Sequence, residues 1–332
     1  MTRATGGAAQ ATRLEALATR RLEAGEIAAA AASLEAAGMI WSRLGESERE
    51  GTCLLLAATH LRLAGDLGAA RRVLALAEVA PLSERLRRGC ALEGCEQELA
   101  GGHPESALAG FGRILDTLTA PGDELDRSLV LQRRAVAALA CRREAGAAED
   151  FLQAARIFDG HAAHADAEAA RLAAASILAA SDPARAEQIL ARVRQNAPRD
   201  GAAATRRGLV GGKVAVSAGD PALALRCFDD ARQGALGMDD PVSYYAAALG
   251  ASRAAETMGD LETAYARLAT AWATLADKLG KEGAAAMLRP ELSGLRERAG
   301  TEAFAAAKQR YEAARAQTLR RPAPQCTREV PP

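Results

Sequence analysis

Aromatic residues and long apolar runs are scarce in this 332-residue chain. Aromatics make up 3% of the residues although hydrophobic residues make up 49%, because much of the apolar content is alanine. A β-sandwich needs β-branched and aromatic side chains, and no run of alternating apolar residues is long enough to predict a strand. The most apolar stretch, residues 53–58, is far too short to span a membrane. We therefore expect an all-α protein of thin, closely packed helices without a membrane partner.

An excess of charge of either sign is also missing. Lysine plus arginine total 42, and aspartate plus glutamate total 42. A dedicated nucleic-acid binder gains most of its affinity by neutralising phosphates, so this balance argues against a nucleic-acid partner. The alanine and arginine content is typical of a GC-rich bacterial genome.

Paired cysteine spacings and a signal peptide are absent as well. The six cysteines show no metal or disulfide spacing, and Cys90 and Cys95 lie on different faces of a predicted helix. The first twenty residues are polar and alanine-rich, without an apolar core segment. We therefore expect a cytoplasmic protein whose thiols stay reduced and pack like alanine.

One spacing pattern is present seven times along the chain. A small residue usually stands seven positions before an anchor residue, and an alanine stands five positions after it. A large apolar residue follows nine positions after the anchor, and an apolar residue, mostly alanine, follows twelve after it. The anchors are Gly25, Gly65, Gly102, Arg143, Ser181, Gly219 and Gly259. Their steps of 37 to 41 residues predict stacked helical hairpins, which bury their apolar faces only against one another.

The residues around the anchors favour a helix–turn–helix connection. A glycine after an apolar-periodic run ends a helix, because it adopts the left-handed conformation without steric cost. Asp66, Asp220 and Asp260 directly follow anchors and are suited to cap the next helix. Pro221 then fits the first turn of that helix.

The pattern of small residue, Gly-Asp turn, alanine, large apolar residue and alanine resembles tetratricopeptide repeats. The step exceeds the usual 34 residues and is similar to the extended variety of kinesin light chains and bacterial peptide-sensing regulators. Leu44-Gly45 and Leu279-Gly280 resemble the end of the long second helix in that variety. The resemblance implies a right-handed superhelical solenoid of about seven hairpins, with C-terminal capping helices.

The expected organisation follows from the repeats. Residues 1–9 are expected to form a disordered lead, and residues 10–283 the solenoid. Residues 284–320 are predicted to form two capping helices, the first starting at Pro290 and the two separated by Gly300-Thr301. Residues 321–332 are rich in proline, lack periodicity and are expected to form a flexible tail.

Catalytic and cofactor motifs are weak throughout. One cluster has residue types that could bind a metal ion, namely His161, His164, Asp166 and Glu168. The alternative interpretation is a polar loop that leads into a helix. Residues 208–214 suggest a phosphate loop, but they lack its first glycine and the Ser or Thr after Lys213. No nucleophile, zinc-protease or dinucleotide motif is present. We therefore expect no catalytic residue, no metal and no cofactor in a non-enzyme.

The resemblance also implies a binding groove. In tetratricopeptide solenoids the first helix of each hairpin lines the concave face, at positions thirteen, ten, six, three and two before the anchor. These offsets select the following candidate partner-binding residues from the later repeats: Arg133, Arg171, Arg206, Leu209, Lys213, Leu249 and Arg253. A basic groove with an apolar floor suits an acidic or carboxylate-bearing peptide, although Glu168 and Glu256 fall at equivalent positions. The alternative is that all of these are ordinary exposed helix residues.

Two functions remain open on this basis. The first is a non-catalytic scaffold or adaptor that binds a peptide or partner helix in the groove. The second is a peptide-sensing regulator that acts through another protein, because the residues before the repeats are too few for a helix-turn-helix.

Overall fold

The computed structural model describes residues 2–195 and 201–320, and every regular element in those ranges is an α-helix. The helices are α1 (Thr2–Glu23), α2 (Ile27–Leu44), α3 (Ser47–Leu63), α4 (Leu67–Val79), α5 (Glu84–Ala100), α6 (Pro104–Thr117), α7 (Glu124–Ala140), α8 (Glu144–Gly160), α9 (His164–Leu178), α10 (Pro183–Gln195), α11 (Gly201–Ser217), α12 (Pro221–Gly237), α13 (Pro241–Thr257), α14 (Leu261–Ala299) and α15 (Thr301–Arg320). The expected all-α class is confirmed. None of the described helices combines the length and the apolar character that crossing a bilayer requires.

The chain forms two compact units, divided between Ala170 and Arg171 within α9. In the N-terminal unit each helix from α1 to α8 belongs to a hairpin, and α3 packs on α5 as well as on its own partner α4. In the C-terminal unit α10 packs on α11, and the same succession continues through α12, α13, α14 and α15. Within each unit a hairpin therefore packs on the next one along the chain, as repeat architectures require.

The turn between the two helices of a hairpin has the expected conformation at the glycine anchors. The anchors with positive φ are Gly25 at 77°, Gly65 at 85°, Gly102 at 81°, Gly219 at 77° and Gly259 at 77°. Residues with a Cβ rarely adopt this region, so glycine is the residue that ends the first helix most easily.

The aspartates after three of these anchors cap the second helix of the hairpin. The Asp66 carboxylate accepts a hydrogen bond from the backbone N–H of Ala69 at 2.9 Å. Asp220 and Asp260 accept the equivalent bonds at 2.8 and 3.0 Å. Each bond satisfies one of the N–H groups that the first helical turn leaves unpaired, so the predicted caps are confirmed.

In the fourth repeat the predicted position of the turn is wrong by one residue. Arg142, rather than Arg143, has the left-handed conformation, with φ of 57°, and Arg143 is the N-cap of α8. Counting from Arg142 gives residues that are all buried, namely Ala135, Ala147, Phe151 and Ala154. Counting from Arg143 instead places Val136, which is 45% exposed, at the small inward position. The sequence conceals this register because no glycine marks the turn.

Glycines on α11 and α13 let neighbouring hairpins approach closely around one aromatic ring. A Cβ built on Gly212 would lie 2.5 Å from the ring of Phe228, and one on Gly250 would lie 2.7 Å from it. Phe228 on α12 thus fills the space between its own hairpin and the next one, as the repeat pattern predicts.

The two ends of the repeat array differ from expectation. The expected disordered lead over residues 1–9 conflicts with α1, which begins at Thr2 and packs Ala8 against the cluster around Trp41. Pro290 lies inside α14 and does not begin a helix, because the break in α14 occurs at Gly280 (φ 78°, ψ 163°). Gly300 separates α14 from α15 as expected. The predicted tail at residues 321–332 lies outside the described residues.

Candidate functional site

A cavity of about 470 Å³ opens in the N-terminal unit. It is lined by the first helices of three consecutive hairpins, α3, α5 and α7, with Ile114 of α6 and Leu118, the C-cap residue of α6, behind them. Leu56 on α3, Leu92 on α5 and Leu129 on α7 contribute apolar wall. Leu56 and Leu129 are exposed, so the wall offers apolar area to a ligand.

A buried carboxylate joins α3 to α5 at the base of this cavity. Glu93 is only 5% exposed, and its two oxygens accept hydrogen bonds from Arg62 Nε at 2.9 Å and Arg62 Nη2 at 3.2 Å. Thr59 and Gln97 donate the further hydrogen bonds, at 3.0 and 3.1 Å. A buried charge is tolerated when it is paired and hydrogen-bonded in this way, and the network fixes the two helices relative to each other.

Burial by itself lowers the pKa of Arg62, but the hydrogen bonds and the negative charge of Glu93 outweigh it and raise the pKa overall. Arg62 therefore remains a cation at every physiological pH. Its charge is directed at the carboxylates of its own chain, because Glu96 also lies 4.0 Å from Arg62 Nη1.

The rim of the cavity carries charges of both signs. Arg133 on α7 pairs with Glu96 on α5 at 3.4 Å, and Arg88 on α5 pairs with Asp123 at 3.1 Å. Arg85 and Asp126 also line the cavity and are exposed. The cavity is thus close to balanced in charge.

Of the seven predicted site residues, Arg133 lies in this cavity and the other six belong to the C-terminal unit. Lys213 on α11 donates hydrogen bonds to the Ser176 carbonyl at 2.8 Å and to its hydroxyl at 3.2 Å. Arg253 on α13 pairs with Glu291 at 3.5 Å. These two cations are partly engaged within the chain.

The other four predicted residues of the C-terminal unit have unequal exposure. Leu209 packs against the cluster around Phe228, and Leu249 packs against the cluster around Tyr244. Arg206 is exposed and Arg171 is half-buried. Their role in binding stays a prediction.

Several cavity residues were missed by the sequence prediction for identifiable reasons. Arg62 and Leu92 stand three and ten positions before Gly65 and Gly102, but the offsets were applied to the later repeats alone. Leu129 stands thirteen positions before Arg142, so the one-residue error in register hid it. The same offsets, applied to every repeat in the corrected register, find all three.

The remaining chemical candidates stay apart from the cavity. Burial, followed by the hydrogen bond and the charge of Glu15, raises the pKa of the Cys53 thiol to about 12, so this thiol is protonated and unreactive. His161 is the C-cap of α8 and His164 begins α9, and the described residues contain no group of three metal-binding side chains.

No protein-family model matches the sequence, and no curated protein matches it either. Solved structures do share its architecture. A tetratricopeptide repeat protein from Parabacteroides merdae aligns with a TM-score of 0.52 at 15% identity, over 84% of this chain and 99% of its own. The apo form of the quorum sensor NprR from B. thuringiensis aligns with a TM-score of 0.53 at 12% identity, over 95% of this chain and 94% of its own. The chain therefore has the fold of a tetratricopeptide-like helical repeat protein.

Proposed function

We propose that this protein is a non-catalytic interaction module, which binds a segment of another protein on the surface formed by the first helices of its hairpins. The observation that carries the proposal is the cavity between α3, α5 and α7. Its volume lies within the roughly 300–1,000 Å³ typical of binding pockets, and it combines apolar walls with charged groups at fixed positions. Stacked hairpins commonly offer such concave surfaces to their partners.

Buried ion pairs hold the walls of the cavity in place. Glu93 links α3 to α5, and Asp150 on α8 accepts two hydrogen bonds from Arg134 on α7, at 2.8 and 2.5 Å. A partner that binds a preformed surface loses less conformational entropy than one that must first order it. The same pairs weaken the case for an acidic partner at this cavity, because Arg62 and Arg133 already face carboxylates.

Affinity capture from the lysate of the source organism tests the proposal. The bait is the full chain, compared with Leu129→Glu in the cavity and with Val79→Glu, a matched change at an 85% exposed residue of α4. We expect a protein that the native chain and Val79→Glu recover and Leu129→Glu loses, because a charge in the apolar wall opposes burial of the partner. Equal recovery by all three baits would remove the cavity from the binding site.

The predicted partner-binding residues of the C-terminal unit are tested with the same capture. A Lys213→Glu, Arg253→Glu double variant reverses the charges of two of these residues without changing the cavity of the N-terminal unit. A partner lost with this bait, and kept with Leu129→Glu, assigns binding to α11 and α13 instead.

A second candidate is a regulator that senses a peptide and acts through a partner. The similarity in fold to apo NprR, described as a quorum sensor, favours this candidate, and the alignment covers 95% of this chain. A cognate peptide would raise the melting temperature of the chain, and the rise would grow with the ratio of the peptide concentration to its dissociation constant. Unchanged melting temperature across peptides from the culture medium of the source organism argues against this candidate.

A further inference from the structure

α7 exposes a line of side chains with the spacing of a heptad seam. Leu125, Leu129, Gln132, Val136 and Leu139 follow one another at steps of four, three, four and three residues. These steps place all five on one face of the helix. Leu129 is 55% exposed and Val136 is 45% exposed, so the described part of the N-terminal unit leaves this seam largely uncovered. We name these five residues the α7 seam.

α3 carries exposed leucines on the other side of the cavity. Leu56 is 44% exposed and Leu63 is 60% exposed. Between them and the α7 seam lies α5, whose Gly89 and Leu92 are only half-exposed. A Cβ on Gly89 would lie 2.8 Å from Leu55, so α5 presents little bulk at this point. The surface is therefore a trough with α5 at its floor, and Leu56 on α3 and Leu129 of the α7 seam are the exposed apolar residues on its two walls.

The charges in the trough indicate a partner that carries both positive and negative charges. Arg62 and Arg133 are engaged by Glu93 and Glu96, so an acidic peptide would have to compete with these carboxylates. Arg85 and Asp126 line the same cavity, and neither forms an ion pair in the part of the chain that the structure describes. An arginine and an aspartate that are both unpaired complement a ligand carrying one acidic and one basic group.

We propose that the occupant of the trough is an amphipathic α-helix of another protein, whose apolar residues repeat at steps of three and four and pack along the α7 seam. An acidic residue of that helix faces Arg85, and a basic residue faces Asp126. A convex helix fits a trough, whereas the trough of a second copy does not, because two concave surfaces leave a void between them. The proposal rests on the proposed function and names the class of partner.

Synthetic peptides of about three heptads test the inference by fluorescence anisotropy against the full chain. The seam peptide has leucine at the a and d positions and glutamate and lysine elsewhere. The scrambled peptide has the same composition with leucines on every face, and the third probe is an acidic peptide kept extended by regularly spaced prolines. We expect the seam peptide to bind at least about tenfold more tightly than the other two.

Variants of the protein locate the binding. Leu129→Glu and Val136→Glu, each shown by circular dichroism to remain helical, should weaken binding of the seam peptide by at least about tenfold. Val79→Glu introduces the same charge elsewhere in the N-terminal unit and should leave binding unchanged.

Three outcomes overturn the inference. Tighter binding of the extended acidic peptide, lost in Arg133→Glu, would show that the partner is not a helix. Sedimentation as a dimer that Leu129→Glu dissociates would make a second copy the occupant. Failure of the seam peptide to bind overturns the helical partner alone, because a captured protein that depends on Leu129 would still support the proposed function.

Discussion

Arg142 occupies a backbone conformation that five of the other hairpin turns assign to glycine. Its φ of 57° lies in the left-handed region, where a Cβ crowds the following carbonyl and costs roughly 1–2 kcal/mol. Its side chain is exposed. The turn forms nevertheless, because the backbone N–H groups of Arg142 and Arg143 both bond back to α7 carbonyls, at 2.9 and 2.8 Å.

Replacing this residue should therefore stabilise the protein. We expect Arg142→Gly to raise the free energy of unfolding by roughly 0.5 kcal/mol, since relief of strain exceeds the entropy that glycine adds to the unfolded chain. Arg143→Gly is the control, because Arg143 has φ of −97° and gains nothing from glycine. Urea denaturation followed by circular dichroism measures both. A gain at position 143 and none at 142 would restore the register that the sequence suggested.

Pairs of helices in this chain approach each other through residues that lack bulk. Gly208 on α11 is the tightest of these contacts with backbone, because a Cβ there would lie 2.5 Å from the Cys227 carbonyl oxygen and 2.7 Å from the Ala231 nitrogen on α12. A backbone group cannot rotate away as a side chain can, so α11 and α12 would have to separate. Gly112 on α6, in contrast, has open space where its Cβ would stand.

The two glycines should respond to alanine with opposite signs. Gly208→Ala is expected to lower the free energy of unfolding by about 1–3 kcal/mol, because overpacking forces the helices apart. Gly112→Ala should raise it by about 0.5–1 kcal/mol, the helix-propensity gain of alanine over glycine. Urea titrations of the two variants check this pair. A stabilising Gly208→Ala would mean that α11 and α12 are not in close contact at this point.

The hairpins could be predicted from the sequence more completely than the cavity. A glycine turn, an aspartate cap and an alanine contact depend on local sterics, and each leaves a residue type at a fixed offset, as around Gly65. The charge balance of the cavity depends on partners that lie far apart in sequence, such as Arg62 and Glu93, which are 31 residues apart. Offsets place Arg62 on the inner face, but they do not show that a carboxylate already engages it.

At the scale of the whole chain, the hairpins within each unit pack on their neighbours in sequence, and stability is expected to be nearly a sum of local terms. Small residues bring α11 against α12, and α10 and α13 pack directly on that pair. A defect between α11 and α12 should therefore reach α10 and α13 first. A compact domain with one shared core would instead spread a local defect over all of its elements. The repeat architecture therefore predicts that damage stays near its origin.

Hydrogen exchange in Gly208→Ala measures this locality. We expect amide exchange, followed by mass spectrometry under native conditions, to quicken in α11 and α12 and less in α13, while α3 and α5 keep their native rates. Gly112→Ala serves as the control and should slow exchange in α6 or leave it unchanged. Uniformly faster exchange across α3, α5 and α11 in Gly208→Ala would mean that the chain unfolds as one cooperative body. In that case Leu129→Glu would also destabilise helices beyond its own hairpin. Its loss of partner binding would then be a local effect only if circular dichroism shows that the variant stays folded.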